Sequence, residues 1–347
     1  MSTLAGPLFV LIFTLSQAFR DVYFGNVFQR YDFFAVILLA FALSTVIFTV
    51  VSLIREPDNF RKLRGQARTI FAANVTTAIA WICFFFALTY IDPAIVNTIH
   101  SAMGPLTVVV LGGFGVALAK PGTIGRIEYA GYAGIAASVV ALWWVVIGGY
   151  SGLPMIDRTA SIVGLALLCV SGGSITISLL CCKRLQDRGI GADTVTTVRY
   201  VVLIALAGAV LLWKGKLGGI DSARQLVTLS LAATALIALP LYAYQLGIGR
   251  TSPLTAQVIR ALGPVLVFAL EQFDGRTRYS MPTLICILAY SASVILSNIA
   301  HGWRGETPRD RTAFSSARRH QSAELENAPR RMVSPPGLPL SRERAEL

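Results

Sequence analysis

Residues 98–111 read Thr-Ile-His-Ser-Ala-Met-Gly-Pro-Leu-Thr-Val-Val-Val-Leu, and residues 257–270 read Gln-Val-Ile-Arg-Ala-Leu-Gly-Pro-Val-Leu-Val-Phe-Ala-Leu. Both stretches set Gly-Pro behind a small residue and a Met or Leu. Both follow an earlier proline, Pro93 or Pro253, which precedes the second proline by twelve or eleven residues. Arg30-Tyr31 and Arg199-Tyr200 form a second matched pair, each introducing the second apolar stretch of a half. The offset is 159 from Pro105 to Pro264 and 169 from Arg30 to Arg199. Four matches in the same order indicate an internal duplication.

The duplicated material is too apolar for water. Of 347 residues, 54% are hydrophobic and 14% charged, where a soluble chain carries roughly a quarter charged residues. The charges are also unevenly placed. Residues 33–54, 69–91 and 129–155 carry no Asp, Glu, Lys or Arg. A helix of roughly 20 apolar residues crosses the hydrocarbon core. The pattern predicts ten spans at 4–24, 33–54, 69–90, 94–119, 127–147, 160–182, 194–213, 226–247, 253–271 and 281–300. The fold class expected is all-α integral membrane, with halves at 1–150 and 151–300. Five spans per half is an odd number, so the halves lie upside down relative to each other. That is the inverted-repeat plan of many secondary transporters.

Lys and Arg placement sets the orientation. With the N-terminus in the cytoplasm, Arg55, Arg61, Lys62, Arg64 and Arg68 lie inside, and Asp92-Pro93 lies outside with no basic neighbour. Lys214, Lys216 and Arg224 run against this assignment. Residues 301–347 are rich in Arg, Ser, Glu and Pro, and read as a disordered basic cytoplasmic tail. The net charge of +12 then belongs to loops, helix margins and tail. Without interleaved aromatic and basic residues it predicts no nucleic-acid partner. The N-terminal stretch lacks a basic leader and a small-residue cleavage site, so it reads as the first span. Arg outnumbers Lys by 25 to 5, which is compatible with a GC-rich bacterium and its inner membrane.

Cys83, Cys169 and Cys286 fall inside spans as small hydrophobes. Cys181 and Cys182 end a span beside Lys183 and Arg184, as an interfacial pair or an acylation site. No spacing suggests a metal or a cofactor. Gly104-Pro105 and Gly263-Pro264 are the expected hinges, because proline removes a helix hydrogen bond and glycine lets the backbone yield. Small residues recur every four positions at Ala130, Gly134 and Ser138 and at Ala289, Ser293 and Ser297. Such stripes let helices approach closely, as peripheral braces or as a homodimer contact; the chain is otherwise expected as a monomer.

Ionisable residues inside spans are costly, by about 3 kcal/mol or more at the centre. Arg199, Arg260 and His100 are therefore candidates for holding an anionic solute, each weighed against snorkelling or packing. Asn74, Trp81, Asn97, Tyr244 and Gln257 are further candidate lining residues. Arg20-Asp21 sits in the last turn of the predicted first span as an ordinary helix-end pair. Were that span to run deeper, Asp21 becomes the best carboxylate for coupling to protons.

With its ten spans, its five-plus-five duplication and the Pro93 to Gly104-Pro105 pattern echoed at Pro253 to Gly263-Pro264, the chain resembles the drug/metabolite transporter superfamily, EamA-like branch. The resemblance covers about residues 4–300. It implies a central cavity lined by spans one to four and six to nine, and a small-molecule substrate such as an amino acid or other metabolite, usually exported. Ser16-Gln17 stands where many members carry Trp-Gly. The alternatives are a channel, a structural membrane protein and, last, a membrane enzyme, for which no acid cluster or nucleophile–base pair is evident.

Overall fold

The computed structural model describes residues 5–115, 125–154, 157–215, 219–220, 222–248, 251 and 253–305. The tail reading falls, from residue 306 onward, outside the described residues. Thirteen helices account for the described secondary structure, with no strand among the described residues. They are α1 (Ala5–Val27), α2 (Phe33–Arg55), α3 (Asn59–Lys62), α4 (Ala67–Tyr90), α5 (Pro93–Gly113), α6 (Arg126–Ile147), α7 (Arg158–Gln186), α8 (Ala192–Val198), α9 (Val201–Lys214), α10 (Ala223–Ile248), α11 (Pro253–Ala261), α12 (Gly263–Glu271) and α13 (Met281–Gly305). Eight segments are long and apolar enough to cross a membrane: α1, α2, α4, α5, α6, α7, the α8–α9 pair and α13. The chain is an integral, multi-pass, all-α membrane protein. Large apolar side chains such as Val46, Phe71, Val140 and Trp144 stand exposed on these helices, as a lipid-facing surface requires.

Three expected boundaries move. The first helix runs to Val27 rather than residue 24, so Arg20 and Asp21 lie nearly two turns from its end, not in the last turn. The fourth span stops at Gly113, where Gly115 takes a positive φ of 74°. The seventh is interrupted at Arg199-Tyr200, between α8 and α9.

A broken helix leaves backbone groups that lipid cannot satisfy. At the α8–α9 break, the Asn74 carboxamide donates to Val198 O at 2.7 Å and accepts from Val202 N at 3.1 Å. At the α11–α12 break, beside Leu262, Ser291 Oγ of α13 donates to Ala261 O at 2.8 Å. Pro264 sits in the first turn of α12, where its missing N–H costs nothing. Pro105, by contrast, lies inside an uninterrupted α5. The two Gly-Pro motifs thus have different outcomes, a break in one and a continuous helix in the other.

Hydroxyls fasten α7 along α4. Ser171 donates to Ala80 O at 2.6 Å, while Ser178 meets Thr77 Oγ1 at 2.6 Å and Ala73 O at 3.2 Å. Seven residues apart, the two serines fall on one face of α7. Gly172 lets α7 approach α5, for a Cβ there would stand 2.4 Å from His100 O. The two small-residue stripes meet each other: a Cβ on Gly131 would lie 2.6 Å from Ser297 Cβ, and one on Gly134 2.4 Å from Ser293 Oγ.

Polar contacts gather at both ends of the bundle. At one, Ser52 meets Thr194 at 2.5 Å, Lys62 donates to Gly189 O at 2.8 Å and Arg55 lies 3.8 Å from Asp193. At the other, Asp92 Oδ2 accepts from Gly152 N at 2.9 Å and Glu271 Oε2 from Ala94 N at 3.1 Å. There Arg276 also donates to Thr89 O at 3.0 Å, and Asn26 to Asp274. This second end ties α1, the α4–α5 and α12–α13 connections and residues 150–153 together. Gly152 is indispensable to it, because a Cβ would fall 2.1 Å from Arg278 O.

Candidate functional site

A cavity of about 480 Å³ enters the bundle beside Lys183, Gln186 and Ala192 and reaches Phe13, Gln17, Arg20, His100 and Arg260. Among the described residues its wall carries four basic side chains, Arg20, Lys183, Arg199 and Arg260, and no Asp or Glu. Apolar walls of low dielectric strengthen the field of these cations.

Each cation is placed by a local feature. Arg199 is held at the helix break that Asn74 spans, with its Cζ 5.1 Å from the Tyr200 ring centroid. Its Nε is buried without a hydrogen-bond partner, as are Trp81 Nε1 and Tyr200 Oη, all on lining residues. Buried donors left unpaired are costly, and these three are oriented by packing alone. Trp81 stacks edge-on against Phe41 at 5.0 Å, and Phe41 lies 4.8 Å from Tyr200. Arg260 lies in the last turn of α11, two residues before the break at Leu262.

Arg20 is held differently. Its Nε and Nη2 donate to Asp21 Oδ1 at 2.8 and 2.6 Å, and Asn97 Nδ2 donates to Asp21 Oδ2 at 2.6 Å. The Arg20 guanidinium lies 5.2 Å from the Trp81 ring centroid and 5.6 Å from that of Phe84, within cation–π range. Asp21 is wholly buried and off the cavity wall, while Arg20 reaches it.

His100 has a fixed tautomer. The Ser171 hydroxyl gives its single proton to Ala80 O, so His100 Nδ1, 3.0 Å from Ser171 Oγ, must be the donor of that contact. Nε2 is then the ring's acceptor in the neutral form. The ring packs edge-on to Phe84 at 4.9 Å.

The structure brings Arg199, Arg260, His100, Trp81 and Arg20 to one cavity and removes others. Asn74 is spent on the α8–α9 break, and Asn97 is spent on Asp21. Gln257 is exposed and lies off the cavity wall. The Tyr244 side chain lies outside the described residues. Gln17, Lys183 and Tyr200 line the cavity without having been singled out by sequence. Gln17 carried a signal, being a polar residue one helical turn before Asp21. A Cβ on Gly104 or Gly263 would meet only ordinary contacts, the nearest at 3.6 and 3.5 Å. Neither glycine is needed for packing. Among the described residues no cluster of His, Cys, Asp and Glu forms a metal site.

Residues 4–117 match the model of the EamA-like transporter family. No curated protein matches the chain. A solved crystal structure aligns with a TM-score of 0.58 at 17% identity, covering 88% of this chain and 98% of the other. That likeness establishes a shared fold.

Proposed function

We propose that the chain, whose residues 4–117 match the EamA-like transporter family, is a secondary transporter for a small anionic or zwitterionic metabolite. The observation that carries this reading is the cavity wall: four cations, no acid, and residues from both sides of position 150. Phe13, Arg20, Trp81 and His100 come from the first half, and Lys183, Arg199 and Arg260 from the second. A carboxylate or phosphate would be gripped by the planar Arg199 and Arg260 forks, each able to offer two parallel N–H donors to two of its oxygens. The rings of Trp81, Phe84 and Tyr200 would hold its apolar part.

In this reading ten spans form two inverted five-helix halves, α10 and the α11–α12 pair completing the set. The facing stripes at Gly131–Gly134 and Ser293–Ser297 and the interrupted helices at Arg199 and Leu262 support it. With both termini in the cytoplasm of a bacterial cell, the mouth at Lys183 and Gln186 faces inward and the end tied by Asp92 and Arg276 faces outward. Transport would exchange the two, opening the outer end as the inner one closes, and an inward mouth suits export.

Reconstituted into liposomes, the protein should show saturable counterflow of a radiolabelled organic anion, lost in Arg260→Ala. Linear, non-saturating flux would identify a channel instead.

A further inference from the structure

Arg20 has the Asp21 carboxylate tightly against it, and that carboxylate is hidden from the cavity. We propose that the protein moves its anion together with a proton, with Asp21 as the proton's site. The proposal rests on the anion-transporter reading above.

The argument is one of charge. Asp21 is wholly buried, and its two oxygens are taken by Arg20 and Asn97. An anion that enters the cavity competes with Asp21 for the Arg20 guanidinium. If the anion wins while Asp21 stays ionised, a bare carboxylate remains in a dry interior, at a prohibitive cost. If a proton settles on Asp21, the ion pair opens without leaving a charge behind. Arg20 then turns to the anion, and the neutral carboxyl keeps Asn97 as a donor to Oδ2. The carboxyl O–H forms as an O–H bond of a hydronium ion in the cavity breaks, leaving a water molecule; no other bond changes. A site holding anion and proton carries the same net charge as the empty site with Arg20 on Asp21. Loaded and empty forms therefore cross the membrane field at equal cost, and transport of a monoanion is electroneutral.

The neighbours of Asp21 favour it as the titrating group. On α4 the facing residues, Trp81 and Phe84, bring no charge. On α5 they are Asn97 and His100, with the His100 Nδ1 proton committed to Ser171. Arg260 of α11 lies near enough to act on His100 electrostatically. Glu271 of α12 is turned away toward Ala94 N. Helix α10 has no charged residue from Gln225 to Ile248; the side chains of Tyr242 and Tyr244 on it lie outside the described residues.

The test uses the full chain in liposomes, with radiolabelled benzenesulfonate as the probe. This ring-bearing monoanion stays ionised at all working pH values and does not cross lipid as a neutral acid. An inward proton gradient of one pH unit should drive its accumulation by about tenfold at one-to-one stoichiometry. A pH dye in the lumen should report acidification with each uptake, and a potassium–valinomycin potential should leave the rate unchanged. In Asp21→Asn the ratio of gradient-driven uptake to counterflow should fall to about one, whatever the absolute rate. Wild-type counterflow without luminal acidification or gradient response overturns proton coupling and leaves the anion reading standing. An undiminished gradient response in Asp21→Asn also overturns the proposal, and points to His100. Absence of any wild-type counterflow overturns the anion reading and this proposal with it.

Discussion

The carboxamide of Asn74 on α4 reaches Val198, 124 residues away, at 2.7 Å, and closes the break between α8 and α9 with both of its polar atoms. A residue that looks like part of a solute site is in fact a splice. It lets the backbone stop being helical at Arg199 without exposing bare amide groups to lipid.

Asn74→Ala should therefore act on stability before it acts on binding. Two backbone groups lose their partner, each worth roughly 1–3 kcal/mol when buried. The expected result is a lower melting temperature in detergent and reduced membrane abundance, with the affinity of the surviving protein little changed. Asn74→Asp should not recover the loss, since a carboxylate accepts from Val202 N but cannot donate to Val198 O, and its charge is costly in a dry interior. Equal stability of Asn74→Ala and wild type would remove the splice from the account.

Arg199→Ala and Arg260→Ala should do the reverse. Charge-assisted hydrogen bonds contribute about 1.5–3 kcal/mol each, so either change should weaken anion binding by roughly tenfold to a hundredfold at unaltered abundance. Isothermal titration or a thermal-shift series would measure it. Retained affinity in a well-folded Arg260→Ala would take that residue out of the cavity's chemistry.

The sequence was legible at the level of whole helices. Apolar length and charge-free runs placed most helix boundaries within a few residues, because in lipid every span must bury its backbone in helix and so must be long. Arg199 and Arg260, which line the cavity, stood out because charge inside a span is costly; Lys183, at a helix margin, did not. The polar residues were not. Asn74, Asn97 and Gln257 look alike in a one-dimensional pattern, yet one closes a helix break, one fixes Asp21 and one faces outward. Which partner an amide finds depends on where a distant helix bends, and neither Val198 nor Asp21 is near its partner in sequence. Ser291 escaped notice in the same way. The break it serves, at Ala261, is visible only once α11 and α12 are seen as separate helices.

Asp92, in the connection between α4 and α5, gives the sealed end a pH dependence. Burial pushes its carboxyl up from 3.8 to about 6, against the Gly152 N–H and Arg276, which hold it down. Folding buries this carboxyl and so favours its protonated form. The resulting stabilisation is complete below the ordinary value of 3.8 and is lost as pH rises through about 6. A shift of this size corresponds to roughly 3 kcal/mol. Asp92→Asn stays neutral throughout, so its melting temperature should match wild type near pH 4 and exceed it above pH 6. A difference that does not vary with pH would show that Asp92 does not change its protonation on folding.

Gly104→Ala and Gly263→Ala separate packing from hinge action. Both sites have room for a methyl group, and alanine favours helix over glycine by about 1 kcal/mol. Each variant should fold at least as well as wild type. If the glycines serve as hinges, turnover should slow while affinity is kept, most clearly in Gly263→Ala combined with Pro264→Ala. Unchanged turnover in all three would assign the motifs to static shape alone.

The close approach of Gly131 and Gly134 to Ser293 and Ser297 sets a limit on how the protein can move. No side chain thicker than a hydroxymethyl separates the two backbones there, so they have almost no slack to slide. Any swing of one part of the molecule against the other must pivot along that line as on an axle. Travel is then least beside α6 and α13 and grows with distance from them, so residues far from this line sweep the widest arc for a given turn.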